Sequence, residues 1–151
     1  MALVWKSNFT HSEIRIFRGK VVAGLLKMNI WKSSGYGELD GHLLRFKVRG
    51  FWQRRVEMTD IDGQRILGEI KLRFFNGLAT IGYENQEYQW KYKSWPRRNW
   101  AVRNENDIAE FKVKGFWQTE GEIENNEIPA AVILASLFIH FHFRKVAAAT
   151  H

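Results

Sequence analysis

The sequence has no cysteine, only two prolines, and no long uncharged apolar run before its last quarter. The missing cysteines exclude disulfides, thiolate nucleophiles and zinc–thiolate centres together. They also fit a reducing compartment. Acidic residues are outnumbered, 16 against 23 Lys and Arg, so the 151-residue chain carries a formal net charge of +7. Residues 1–17 alternate polar and apolar types and lack the uninterrupted apolar segment of a secretory signal. This length suits one domain with its own core. No Pro-, Gly- or Ser-rich linker divides it, and residues 1–151 are read as a single unit.

Aromatic residues are plentiful (Trp 7, Phe 11, Tyr 4), which favours strands as the main element. Up to Asn126 the pattern is short alternating runs broken by tight turns. Glu13–Arg18 turns at Gly19-Lys20 into Val21–Leu26, and Ser33-Ser34-Gly35 and Asp40-Gly41 punctuate the next stretch. Leu43–Arg49, Gln53–Asp60, Gln64–Phe74, Leu78–Tyr83, Glu87–Lys93, Asn99–Arg103, Asp107–Lys114 and Gln118–Glu124 follow. Asp62-Gly63 and Asn76-Gly77 sit between such runs. Asp-Gly and Asn-Gly supply the positive φ of a type I′ hairpin turn. Trp95-Pro96-Arg97-Arg98 is the longest loop expected.

One segment occurs twice. Phe46-Lys47-Val48-Arg49-Gly50-Phe51-Trp52-Gln53 returns 65 residues later as Phe111-Lys112-Val113-Lys114-Gly115-Phe116-Trp117-Gln118, with Lys for Arg as the single change. That spacing is too long for a solenoid repeat. It predicts two similar half-domains related by an approximate two-fold. Alternation puts Phe and Val on one face of each copy and Lys or Arg on the other. The shared glycine is expected to mark a bulge or bend.

The run Ile128–Phe143 contains no charge. Pro129 suits a first helical turn, and Glu127 and Arg144-Lys145 match the two ends of a helix dipole. A helix is therefore expected to about Phe141, although Ile139–Phe143 also alternates with period two. A helix apolar on every side is buried or in lipid. The run is shorter than the eighteen or more residues of a membrane span, which favours burial. A helix about 10–12 Å across would fill the lumen of a barrel of roughly a dozen strands. The expected fold is mainly β: a closed barrel of about twelve strands in two similar halves, around a buried C-terminal helix.

Several segments resemble the LURP-one-related proteins, which share a fold with the tubby C-terminal domain and the phospholipid scramblases. They are the hairpin at Asp62-Gly63 ending Ile66-Leu67-Gly68-Glu69-Ile70, then Trp100-Ala101-Val102, Ile108-Ala109-Glu110-Phe111-Lys112, and the apolar stretch from Ile128. The resemblance covers about Gly19 to Lys145. It implies a twelve-stranded barrel around a hydrophobic helix, without enzymatic activity, that binds anionic phospholipids or phosphoinositides. Unlike the scramblases, the sequence shows no Pro-rich N-terminal arm, no cysteine cluster for acylation and no acidic calcium-binding segment. Lipid translocation is therefore not expected.

Catalytic chemistry finds little purchase. Ser33, Ser34, Ser94 and Ser136 and His11, His42, His140 and His142 are scattered, and no nucleophile elbow frames a serine. His140 and His142 would diverge on a helix. Asp60 and Asp62 precede Gly63 without the later ligands of a calcium loop, and Gly35-Tyr36-Gly37 lacks the third glycine of a phosphate loop. No cofactor or metal is implied. The basic residues offer more. Arg45, Lys47 and Arg49 share an outward face, as do Lys71 and Arg73, Lys91 and Lys93, and Lys112 and Lys114, with Arg97 and Arg98 in a loop. Their apolar neighbours Phe46, Val48, Ile70, Leu72, Trp90, Tyr92, Phe111 and Val113 would face the core. Such stripes suit lipid headgroups or nucleic-acid phosphates, and they also keep an all-β surface soluble. The expectation is a cytoplasmic binding or scaffold module, peripheral at the anionic inner face of a membrane. A nucleic-acid-binding barrel and a tail-anchored membrane protein are the alternatives.

Overall fold

The structure, a computed structural model, describes residues 2–29, 32, 34–50 and 54–149. Twelve strands precede one helix: β1 (Ala2–Ser7), β2 (Glu13–Arg18), β3 (Val21–Asn29), β4 (Ser34–Leu39), β5 (His42–Arg49) and β6 (Arg55–Thr59). Then come β7 (Ile66–Arg73), β8 (Leu78–Tyr83), β9 (Gln86–Tyr92), β10 (Asn99–Arg103), β11 (Ile108–Lys114), β12 (Glu120–Asn125) and α1 (Ala130–Ala149). Every strand pairs antiparallel with its sequence neighbours, and β1 pairs with β12 to close the barrel.

Closure leaves a lumen, and α1 fills it. All residues from Ala131 to Phe143 are buried, as are Ile70, Leu72, Trp90, Tyr92, Phe111 and Val113 on the strands facing them. Phe46 stacks on Phe138 at 4.7 Å between ring centroids. Trp90 donates its indole N–H to the carbonyl of Ser136 at 3.2 Å. The helix runs past Phe141 to Ala149, so Ile139–Phe143 is helical despite its period-two spelling. At 20 residues α1 is long and apolar enough to cross a membrane, but most of it is buried inside the barrel.

Ser34 and Gly35 lie in β4 and not in a turn. Their turn-like composition answers a packing need. A Cβ on Gly35 would sit 3.3 Å from the Phe138 ring and one on Gly37 3.1 Å from Leu134, so β4 is bare where the helix presses against it.

The two copies of the repeat occupy equivalent places. β5 and β11 stand six strands apart in a ring of twelve. The correspondence extends well beyond the repeat. β2, β3, β4 and β6 start at Glu13, Val21, Ser34 and Arg55, and β8, β9, β10 and β12 start 65 residues later, at Leu78, Gln86, Asn99 and Glu120. The barrel is thus two six-stranded halves, β1–β6 and β7–β12. Gly50 and Gly115 both have positive φ (91° and 78°) and end their strands, so they turn the chain and do not bulge it. Phe51, Trp52 and Gln53 of the first copy lie outside the described residues, as does Ser33.

The antiparallel order gives the barrel two ends. The connections β2–β3, β4–β5, β6–β7, β8–β9 and β10–β11 lie at the end where α1 enters from β12. The connections β1–β2, β3–β4, β5–β6, β7–β8, β9–β10 and β11–β12 lie at the opposite end, here the rim end. The helix C-terminus is tied to it. Arg144 donates to the side chain of Gln118, and Lys145 donates to the carbonyls of Asn29 and Lys32 at 3.3 Å each.

Because α1 is the barrel's filling, damage to it should be global. Leu134→Ala is expected to lower stability in urea unfolding by about 2–5 kcal/mol, and Leu134→Asp to abolish cooperative folding by burying an unpaired charge. A chain truncated before Ile128 that still unfolds cooperatively would contradict a core helix.

Candidate functional site

The outward cations expected from alternation all lie on the surface or at the rim, but their neighbours divide them. β5 presents Arg45, Lys47 and Arg49, all exposed. Register sets Arg49 opposite Arg55 on β6, and Arg55 opposite Lys71 on β7, a continuous cross-strand row of three cations. Arg54 and Arg73 flank this row, both exposed. Among the described residues only two acids answer it: Glu57, 2.9 Å from Arg49, and Glu69, 2.9 Å from Arg55. Like charges directly opposite one another destabilise a sheet. The pairs to Glu57 and Glu69 offset part of that repulsion. Beside it, on the outer face of β3–β6, a groove of about 1000 Å³ is lined by Lys27, Lys32, Arg45, Lys47 and Arg49, against Glu57 and Asp62. On its other side a recess of about 800 Å³ is lined by Arg54, Arg55, Lys71 and Arg73 together with Phe74 and Phe75.

The opposite half of the barrel is different. Lys112 and Lys114 are exposed on β11, but β12 sets Glu122 opposite Lys112 and Glu120 opposite Lys114. Lys114 pairs with Glu122 at 2.7 Å, and Lys93, just beyond β9, pairs with Glu110. Lys91 is exposed on β9. β5 and β11 therefore belong to opposite sides, and one binding face does not include both. Arg97 and Arg98 are half-buried and spent on structure. The Arg97 guanidinium lies over the rings of Phe74, Tyr92 and Trp95 at 5.0, 5.2 and 5.9 Å and donates to the Phe75 carbonyl. Arg98 donates to the Gly115 carbonyl at 2.8 Å.

Sequence reasoning missed Arg54 and Arg55, which complete the cationic arc from β5 to β7. Their adjacency in the sequence was the available signal. What could not be seen was that Arg55 lands between Arg49 and Lys71, because register depends on where β6 begins.

The scattered serines and histidines are placed by packing. Ser136 donates back to the Val132 carbonyl inside α1. His11, on the β1–β2 connection, meets the Gln118 carbonyl through Nε2 at 2.9 Å and stacks on Phe141. His140 stacks on Trp100 with ring centroids 4.0 Å apart, and its Nδ1 meets the Tyr92 hydroxyl at 2.8 Å. Its Nε2 has no partner among the described residues. His142 faces elsewhere, stacked on Phe138. Asp60 accepts from the backbone N–H groups of Gln64 and Arg65, which lower its pKa and occupy it as a turn cap. Gly35-Tyr36-Gly37 is strand.

Burial holds His142 down to about 4 and His140 well below the usual imidazole value. Arg144 and His11 add repulsion at His140, and Lys145 adds it at His142. Both are neutral in the fold, whereas an unfolded histidine takes up a proton near pH ~6.5. Below that the unfolded state binds more protons, so stability is full above about 6.5 and declines as pH falls toward 4. The thermal midpoint should follow this course across that window. His142→Phe should flatten the decline, and an unchanged slope would remove His142 from the account.

Comparison with known proteins finds no matching family model, no similar curated protein and no similar solved structure, so the function is argued from the surface of this chain.

Proposed function

We propose that the chain is a non-enzymatic binding module that associates with anionic phospholipid at the inner face of a membrane, through the arc of cations on β5–β7. The observation that carries this reading is the cross-strand row Arg49–Arg55–Lys71. Two acids, Glu57 and Glu69, face three cations there, and the excess positive charge suits a polyanionic partner. Each Lys or Arg near an acidic membrane surface contributes roughly 1 kcal/mol, so the arc can hold the domain without insertion of the barrel. The groove on β3–β6 is lined with cationic donors, which suits headgroup phosphates approached from solvent, and the recess on the other side adds Arg54, Arg55, Lys71 and Arg73 along an apolar floor. The resemblance to LURP-one-related and tubby-like proteins points the same way.

Sedimentation with phosphatidylcholine vesicles, with and without phosphatidylserine, tests the reading. Binding is expected only to the anionic vesicles, and it should weaken as salt shortens the Debye length below about 8 Å. Lys71→Glu with Arg73→Glu should abolish it. The same pair should leave the melting temperature unchanged or raise it, because Glu opposite Arg55 replaces repulsion with an attraction of about 0.2–1 kcal/mol. Lys112→Glu with Lys114→Glu, on the opposite side, should weaken binding much less than the first pair, because those lysines already face Glu122 and Glu120. Loss of binding in the second pair and not the first would move the site to the other half of the barrel.

A further inference from the structure

The two ends of the barrel differ in charge and in exposed rings. The described rim-end connections carry Lys32, Arg54, Lys93, Arg97 and Arg98 and no Asp or Glu. Acids approach this end only at strand termini, as Glu13 and Glu120. The connections at the entry end hold seven acids, Asp40 and Asp107 among them, against Lys20 and Arg65. The rings follow the same division. Phe9 is 73% exposed, Phe75 91%, Trp95 83%, Phe116 84% and Trp117 65%, and all five lie on rim-end connections. Phe9 and Phe116 both pack on Trp117, with ring centroids 5.6 and 5.1 Å apart. At the entry end the exposed apolar residues are aliphatic, such as Val21 and Ile66, and sit among acids.

Large aromatic side chains are ordinarily buried. Five at one end, set among cations, form an amphipathic surface of the kind that partitions into a bilayer interface. We infer that the rim end is the membrane-contacting surface. Rings from β1–β2, β7–β8, β9–β10 and β11–β12 enter the interfacial layer of an anionic bilayer, and the acidic entry end faces water. The inference rests on the binding reading above and adds the orientation and the inserting residues. Charge favours one pose, because an anionic surface attracts the rim and repels the opposite end. The distribution of the rings favours a bilayer over single-stranded nucleic acid. They project from four separate connections around a closed ring and so share an end surface, whereas a stacked strand needs a continuous basic groove.

The cysteine-free chain allows a single-site test. Phe75→Cys and Glu105→Cys, each labelled with a polarity-sensitive fluorophore, would be mixed with phosphatidylcholine–phosphatidylserine vesicles containing quencher-bearing acyl chains. The label at 75 should shift to the blue and be quenched, while the label at 105 does neither. Phe75→Ser with Phe116→Ser should weaken vesicle partitioning at raised salt by about tenfold or more, with the melting temperature unchanged. Co-sedimentation with neither label quenched overturns the rim as the contact and leaves binding through the β5–β7 arc standing. Absence of sedimentation with anionic vesicles sinks the binding module and the rim together. Tighter binding to a single-stranded oligonucleotide than to vesicles at matched salt, with the label at 75 responding, overturns the bilayer as the occupant.

Discussion

A twelve-stranded antiparallel ring cannot fill its own interior, and the rest of this structure follows from how that space is closed. Eight strands bring opposite walls close enough for side chains to meet, whereas twelve leave room for an element of roughly helix width. α1 is apolar on all sides because every side meets a strand. The strands adapt in turn. β4 thins to Gly35 and Gly37 where Phe138 and Leu134 press against it, while Trp5, Trp90 and Trp100 supply bulk elsewhere around the core. Even the polar groups of the interior are arranged around the helix. Tyr92 meets His140, and Trp90 meets the Ser136 carbonyl.

The two halves keep the same scaffold and diverge on the outside. Inward positions of β5 and β11 match as Leu44/Ala109, Phe46/Phe111 and Val48/Val113, and those of β6 and β12 as Val56/Gly121 and Met58/Ile123. Apolar character is conserved between the halves because each must face α1. The outward residues carry no such constraint. Arg55 stands where the second half has Glu120. The inward match makes the barrel, and the outward difference gives the barrel a cationic side.

Most of the fold was legible in the sequence because tight turns and alternation are local signals. Asp62-Gly63 and Asn76-Gly77 mark their turns, and Leu78–Tyr83 and Asn99–Arg103 match β8 and β10 to the residue. β4 was not legible, since Ser34-Gly35-Tyr36-Gly37 spells a turn unless a helix is known to lie against it. The last turns of α1 were obscured by His and Phe in alternation, which on a helix send His140 toward Trp100 and His142 toward Phe138. The stripe on β5 was visible, but the arc it belongs to was not. Membership of the arc depends on register across three strands, and the polarity of the ends depends on which connections topology gathers at one end. Neither is a local property.

The rim can display large rings without collapsing onto itself because the core holds it in place. α1 emerges among the rim connections, where Arg144 reaches Gln118 of β11–β12 and Lys145 reaches the carbonyl of Lys32 in β3–β4. His11 of β1–β2 stacks on Phe141, and Phe74 of β7–β8 packs on Phe143 at 5.4 Å. Arg97 of β9–β10 lies over that same Phe74 ring. Five connections are thereby referred to one rigid element, directly or through Phe74. A surface held this way loses little conformational entropy on docking. On the proposed reading, cations would act first, over about a Debye length, and turn the domain toward an anionic surface. The rings would act only on contact, and the packing beneath already sets them. The buried apolar helix and the exposed aromatic rim are thus parts of one arrangement, in which the packing that closes the barrel also fixes the geometry of the surface the proposal assigns to binding.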